Sequence, residues 1–220
     1  MSYRYCGLGQ GFDRYSGPGE RSWRGSVETS SQLESWLPEY EHAPLFVWLH
    51  IYDAHGPYKP PEDYRHLYYP EDRDPYAVVE GGEEPRVPRW DRSLQDPDFA
   101  AALYRSEITY LDEVLGGLLA RPRLQGAVIA FTADHGETLE RGMEEPFGHL
   151  SLTYNTLAVP LIVVAPGLTP GEVRAAPVQQ LDVGRTLLNL AGLAEVEFPG
   201  EDLFAATEQT TRPRFGVQAN

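Results

Sequence analysis

The heptapeptide Phe131-Thr132-Ala133-Asp134-His135-Gly136-Glu137 carries the first indication of both fold and chemistry. An apolar run at 127–131 leads into it and predicts a buried β-strand, which ends in an acid, an imidazole and a glycine. Ligands bind at the carboxyl ends of strands in parallel α/β sheets, and Asp beside neutral His can hold a divalent cation. Glycine lets the backbone approach a ligand closely. An ordinary polar turn after a strand explains the same string about equally well. The choice between a ligand site and a plain turn therefore depends on the remaining motifs.

The composition limits the classes of partner. The chain has 220 residues, enough for one sizeable domain, and its formal net charge of -15 disfavours nucleic acid and anionic membranes. An anionic small substrate stays open, because a bound metal overrides global charge locally. Cys6 is the single cysteine, so no internal disulfide forms. No apolar run reaches the ~18 residues of a membrane span, and the first residues carry no signal-peptide core, so localisation stays unassigned.

A second strand is predicted at the nearly continuous apolar run 45–51, which is typical of a strand covered on both faces. The sequence Asp-Ala-His-Gly-Pro-Tyr follows it at 53–58, before a long irregular excursion at 59–97. Asp96 and Pro97 then predict the start of a helix that Pro122 ends. A helix between two buried strands predicts a right-handed crossover.

The rest of the chain continues the alternation of strand and helix. A third buried strand is predicted at 159–165, and an amphipathic helix at 182–190 is closed by Gly192. Shorter helices are predicted from Thr29 or Ser30 to Leu37, and at 151–157. This alternation favours a layered α/β domain.

Four side chains follow these strands. His55 lies after the strand at 45–51, Asp134 and His135 lie after the strand at 127–131, and His149 lies before the strand at 159–165. If the three strands are neighbours, these side chains meet at one edge of the sheet. One Asp and several His could there bind a metal and an anionic group.

The motifs also occur in a recognisable order: 46–61, 104–119, Thr132–Glu137, 148–167 and 181–192. Together they resemble the sulfatase family of the alkaline-phosphatase-like superfamily over residues 44–193. The resemblance implies an alkaline-phosphatase-like three-layer sandwich with a mostly parallel sheet. It also implies hydrolysis of a small-molecule or carbohydrate sulfate ester, with a divalent metal that is usually calcium.

The resemblance assigns roles residue by residue. Asp134 and His135 match the pair that supplies metal ligands. His55 matches the histidine that contacts the sulfate and can protonate the leaving oxygen, which suits a side chain that titrates near neutral pH. His149 lies near the position of a lysine or histidine that contacts the sulfate.

Two family motifs are absent from these 220 residues. The family's nucleophile lies in a Cys/Ser-x-Pro-x-Arg motif and matures to formylglycine, and an early Asp-Asp pair supplies further metal ligands. Cys6 has no Pro or Arg in register, and Ser16 has Glu20 where Arg belongs. We therefore assign no nucleophile and expect the second part of a catalytic domain, with the N-terminal part of the fold missing and acting as its partner.

The expected organisation has three parts. Residues 1–43 are a flexible segment with a short helix, 44–196 a partial sulfatase catalytic domain, and 197–220 a tail. Intact relatives are often exported.

Two other functions stay open. Asp134-His135, in place of Asp-Asn, also suits manganese or another transition metal, so a phosphate or phosphonate ester hydrolase is the first alternative. The second is a non-catalytic remnant that binds a partner. The missing nucleophile favours this alternative. The presence of all four candidate site residues, His55, Asp134, His135 and His149, disfavours it.

Several other side chains receive structural interpretations. His50 is expected to be a buried structural histidine, Glu137 an exposed loop acid and Asp53 a turn former. The tyrosines that begin at Tyr58 either line a sugar or aryl pocket or pack the excursion.

Overall fold

The computed structural model describes residues 7–19, 23–78, 84–139 and 146–205. The chain divides into two compact units, Met1–Gln125 with Leu139–Gly148 and Gly126–Thr138 with His149–Asn220. Across the described ranges, no helix combines the length and the apolar character that a membrane span requires.

The first unit contains helix α1, Ser26–Trp36, and helix α2, Pro97–Leu119. The predicted start of α2 is confirmed, because Asp96 accepts a hydrogen bond from the Asp98 amide at 3.1 Å and Pro97 occupies the first turn. The predicted cap of α1 is wrong. Gly25 is its N-cap, and Thr29 and Ser30 are buried within the helix.

The core of the first unit forms where the long excursion packs against α2. Phe99 lies at its centre, and Tyr69 meets the Phe99 ring edge-on at 4.9 Å. Tyr58 and Leu94 are also buried in this cluster. Tyr58 and Tyr69 therefore have the packing role that was one of the two interpretations, and the excursion forms part of the core. A smaller cluster of Leu33, Leu37 and Leu118 joins α1 to α2.

The strand predicted at 45–51 is wrong: within the described residues this run forms no strand. Phe46 and Trp48 are 70% and 53% exposed. His50 is exposed as well, and it stacks on Trp48 at 6.2 Å instead of lying buried. A strand covered on both faces needs neighbours for its backbone donors and acceptors, and the described residues supply none here. The predicted crossover does not form for the same reason.

The second unit is built on strand β1, Ile129–Thr132, and strand β2, Leu161–Val164. They pair antiparallel, with Ile129 opposite Val164 and Thr132 opposite Leu161. The sheet of the described residues is thus two-stranded and antiparallel, and the mostly parallel sheet is not confirmed. An apolar run indicates a strand but not the direction of its neighbour.

The described part of the second unit also contains two helices. Helix α3, Tyr154–Leu157, begins within the predicted segment behind the Thr153 capping box. Helix α4, Gln180–Leu190, is confirmed, and Gly192 has φ 75° just beyond its end.

A buried acid ties the following segment to α4. Asp182, with 0% of its surface exposed, accepts from the Gln179 amide at 2.7 Å and from the Glu201 amide at 2.9 Å. One turn later, Thr186 accepts from the Leu203 amide at 2.9 Å. Asp182 and Thr186 belong to the Asp-x-x-x-Thr pattern of the sequence, which therefore holds residues 201–203 in place.

Candidate functional site

The turn after β1 is held from two sides. The Gly136 amide donates to the carbonyl oxygen of Thr156 in α3 at 2.9 Å, and the Gln180 Nε2 of α4 donates to the Ala133 carbonyl at 2.7 Å. A Cβ at Gly136 would lie 1.9 Å from the carbonyl oxygen of Asn155. Only glycine permits this approach, so the Asp-His-Gly string fixes the turn as well as carrying its chemistry.

Asp134 and His135 present their polar atoms side by side on this turn. The Asp134 side chain is 81% exposed, and its Oδ2 lies 3.8 Å from the His135 Nε2. His135 Nδ1 lies 2.9 Å from the Gly136 carbonyl oxygen. Because a carbonyl only accepts, Nδ1 carries the proton and Nε2 has a free lone pair in the neutral ring. This is the tautomer that a metal ligand requires.

His149 stacks on His135, with ring centroids 4.0 Å apart and planes inclined by 23°. Its Nδ1 lies 3.6 Å from the Oε1 of Glu137, whose side chain is only 8% exposed. The second unit thus brings together three of the four predicted site residues. The expectation that Glu137 is an exposed loop acid is wrong, since it lies beneath His149.

The donor set fits part of a divalent metal site. A separation of 3.8 Å exceeds a hydrogen bond, whereas two ligand atoms bound at ~2.2 Å to one cation lie roughly 3.6 Å apart. A carboxylate oxygen and a neutral imidazole suit manganese and related ions. Among the residues that the structure describes, no group of three or more such ligands occurs. Asp134 and His135 therefore could supply two ligands, and the described residues do not complete a shell around them.

His55 lies in the first unit, on a turn closed by its amide, which donates to the Tyr52 carbonyl at 3.1 Å. Its ring stacks on Tyr52 at 4.5 Å, and its Nδ1 lies 2.7 Å from the Gly56 carbonyl oxygen. Nδ1 is therefore the donor, and Nε2 is the atom that can exchange a proton. A Cβ at Gly56 would lie 2.9 Å from the Trp90 Nε1, so this turn also requires glycine.

Two acids that sequence reasoning did not place in the site support this turn. Asp53 Oδ1 accepts from the Ser26 hydroxyl at 3.1 Å, and Glu107 Oε1 accepts from the Lys59 amide. Burial raises the pKa of Glu107, the Lys59 amide opposes the rise, and the Asp53 carboxylate adds to it, giving about 7.

The structure gives no support to either residue considered as a nucleophile, Ser16 or Cys6. Ser16 Oγ accepts a hydrogen bond from Arg24 Nη1 at 2.9 Å, and the side chains described around it include no general base in contact with that hydroxyl. Cys6 lies outside the described residues.

Comparison with known proteins gives a consistent family. The sulfatase family model matches residues 3–193. Arylsulfatase K of Danio rerio is 31% identical over 98 residues, which are 43% of this chain and 18% of that protein. A sulfatase of Formosa agariphila is 26% identical over 163 residues, which are 69% of this chain and 31% of that protein.

A solved structure gives the same fold. The phosphonate monoester hydrolase of Silicibacter pomeroyi superposes with a TM-score of 0.66 at 23% identity, covering 87% of this chain and 43% of its own. At this identity the likeness establishes the fold, which is alkaline-phosphatase-like, and not the substrate. In all three comparisons, the chain spans less than half the length of the protein that it matches.

Proposed function

The chain belongs to the sulfatase family, and on this basis we propose that it carries part of the catalytic site of a metal-dependent sulfuric ester hydrolase. The observation that supports this most is the stacked pair His135 and His149 beside Asp134, on a turn that only glycine can close. Two imidazoles and a carboxylate in contact are suited to a cation and an anionic ester group.

The site residues of the second unit have different roles. Asp134 and His135 would hold the divalent cation, calcium or manganese, through Oδ2 and Nε2. When bound, the cation neutralises negative charge on the ester's sulfate oxygens. His149 donates to a sulfate oxygen, and Glu137 at 3.6 Å orients its ring.

His55 is the general acid of this proposal. Its Nδ1 is committed to the Gly56 carbonyl, so Nε2 is the ring nitrogen that would give its proton to the leaving-group oxygen. Stacking on Tyr52 fixes the ring plane. Protonation of the leaving oxygen matters most when that oxygen is a poor leaving group, as in a carbohydrate sulfate.

The nucleophile and the remaining metal ligands come from a missing N-terminal portion of the same fold. The exposed apolar side chains of Phe46, Val47 and Trp48 support this proposal, because such a run is stable only when other chain covers it. The substrate is a small-molecule or carbohydrate sulfate ester.

Replacement of His55 tests the proposed activity. In a polypeptide that joins these residues to a segment with the Cys/Ser-x-Pro-x-Arg nucleophile, His55→Ala should lower kcat for phenyl sulfate by about 100-fold. The loss should be about tenfold smaller for 4-nitrophenyl sulfate, because 4-nitrophenolate leaves without a proton. Steady-state rates on the two esters measure both effects.

His50→Ala is the matched control, since His50 is an exposed histidine of the same segment. It should leave both rates within about twofold. Equal losses for the two esters in His55→Ala would contradict the assignment of a general acid.

A phosphate or phosphonate ester hydrolase is the alternative on the same site. The imidazole of His135 beside Asp134 favours it, because nitrogen ligands suit manganese better than calcium. Rates of that longer polypeptide on 4-nitrophenyl sulfate and 4-nitrophenyl phenylphosphonate, with each metal, separate the two functions.

A further inference from the structure

A buried acid and a half-buried acid hold the turn that carries His55. Glu107 on α2 is 8% exposed, and its Oε1 accepts from the Lys59 amide. Asp53 holds the other side of the turn through the Ser26 hydroxyl, 3.1 Å from its Oδ1. The second oxygen of each acid, Glu107 Oε2 and Asp53 Oδ2, is buried and has no hydrogen-bond partner among the described residues.

Two such oxygens would be costly if both carboxyls were ionised. A buried charged oxygen without a donor loses its hydration, and two like charges in one site disfavour each other. Burial raises the pKa of Glu107, the Lys59 amide opposes the rise, and the Asp53 carboxylate adds to it. A proton on the Glu107 carboxyl removes the cost of that buried charge.

The pair spans the turn that presents His55. Asp53 precedes His55 by two residues, and the Lys59 amide held by Glu107 follows it by four. Between these anchors, the His55 amide closes on Tyr52 and the ring stacks on Tyr52.

We propose that Glu107 is the positioning residue that fixes the turn 52–59 and the ring of His55, and that it does so as the neutral carboxylic acid. Glu107 touches no reacting atom and acts through His55. Only its relevance to catalysis rests on the proposed function; the fixed turn and its dependence on the Glu107 proton do not.

The sign of the pH dependence follows from the raised pKa. Glu107 has an ordinary pKa of 4.5 in the unfolded chain and about 7 in the folded one, so the folded chain binds the proton more tightly. Its contribution to stability is complete below about 4.5 and is lost as the pH rises through 7.

The first test measures urea unfolding of the 220-residue chain at pH 5 and pH 8. The unfolding equilibrium constant of the unmodified chain should rise on the order of 100-fold more across this range than that of Glu107→Gln. In that variant, the side-chain amide is neutral at both pH values and its oxygen can still accept from the Lys59 amide. Asp112→Asn, an exposed acid of the same helix, should keep the pH dependence.

The second test follows His55 and Lys59 by NMR. The Lys59 amide resonance should titrate with a midpoint near 7 and stop titrating in Glu107→Gln. The ring-current shift of His55 from Tyr52 should survive in Glu107→Gln and be lost in Glu107→Ala. That rescue by the neutral isostere shows that the protonated form of Glu107 is the one that positions the turn.

Three results would overturn the proposal: an unchanged pH dependence in Glu107→Gln, a Lys59 amide that still titrates there, or an unshifted His55 ring in Glu107→Ala. If Glu107→Ala does not fold, the first two readouts on Glu107→Gln still decide. None of these measurements requires turnover, so failure of the sulfatase assay and failure of this proposal are distinguishable.

Discussion

Gly136→Ala should lower the free energy of unfolding of this chain by about 3 kcal/mol. The added methyl carbon would lie 1.9 Å from the Asn155 carbonyl oxygen, and backbone cannot give way as a flexible side chain does. Relief requires the turn to move from α3, which also breaks the bond from the Gly136 amide to Thr156. Urea unfolding of the two chains measures the loss.

Gly148→Ala is the matched control, because a Cβ there meets nothing within 4 Å and Gly148 directly precedes His149. Its unfolding midpoint should stay close to that of the unmodified chain. A Gly136→Ala chain as stable as Gly148→Ala would mean that the turn after β1 is not held against α3.

Manganese should bind at Asp134 and His135, and Asp134→Ala should weaken this binding by about 100-fold. The carboxylate Oδ2 and the imidazole Nε2, 3.8 Å apart, are the two protein ligands that the described chain offers there. Removing one leaves a single imidazole, which is a poor site for a divalent ion. Paramagnetic broadening of the His135 and His149 ring protons on titration with manganese measures the affinity without any need for turnover.

Asp112→Ala removes an exposed carboxylate elsewhere and should leave the broadening unchanged. Calcium added in excess should reverse the broadening if both ions use the same ligands. Equal broadening in Asp134→Ala and the unmodified chain would contradict the assignment of this metal site.

Sequence patterns predicted structure most reliably where residues close in sequence determine it. The cap at Asp96, the helix at 182–190 and its closing Gly192 follow from short-range hydrogen bonding and backbone conformation, and all three are confirmed. The family was also predictable, because several motifs recur in a fixed order and the sulfatase model matches residues 3–193.

Sequence patterns gave wrong or incomplete predictions where a strand depends on the segments that pair with it. The run 45–51 has the composition of a doubly covered strand, but a strand forms only when another chain segment accepts and donates its hydrogen bonds. Likewise, the apolar runs of β1 and β2 identified strands and left their antiparallel pairing undetermined.

The candidate site was predicted in part for similar reasons. His135 and His149 are together because the turn after β1 and the start of the next segment meet, as the ordered motifs indicated. Glu107 and Glu137 were missed because burial of an acid depends on contacts distant in sequence, and no periodic pattern marks an exception of this kind.

Hydrolysis of 4-nitrophenyl sulfate by the purified 220-residue chain, with calcium or manganese and with Asp134→Ala beside it, tests the central claim most directly. Because the described residues include no group of three or more metal-ligating side chains and the sequence has no recognisable nucleophile, we predict no turnover above background in either chain. Turnover by the unmodified chain that Asp134→Ala abolishes would contradict this account, and would mean that the site is complete without the family's nucleophile.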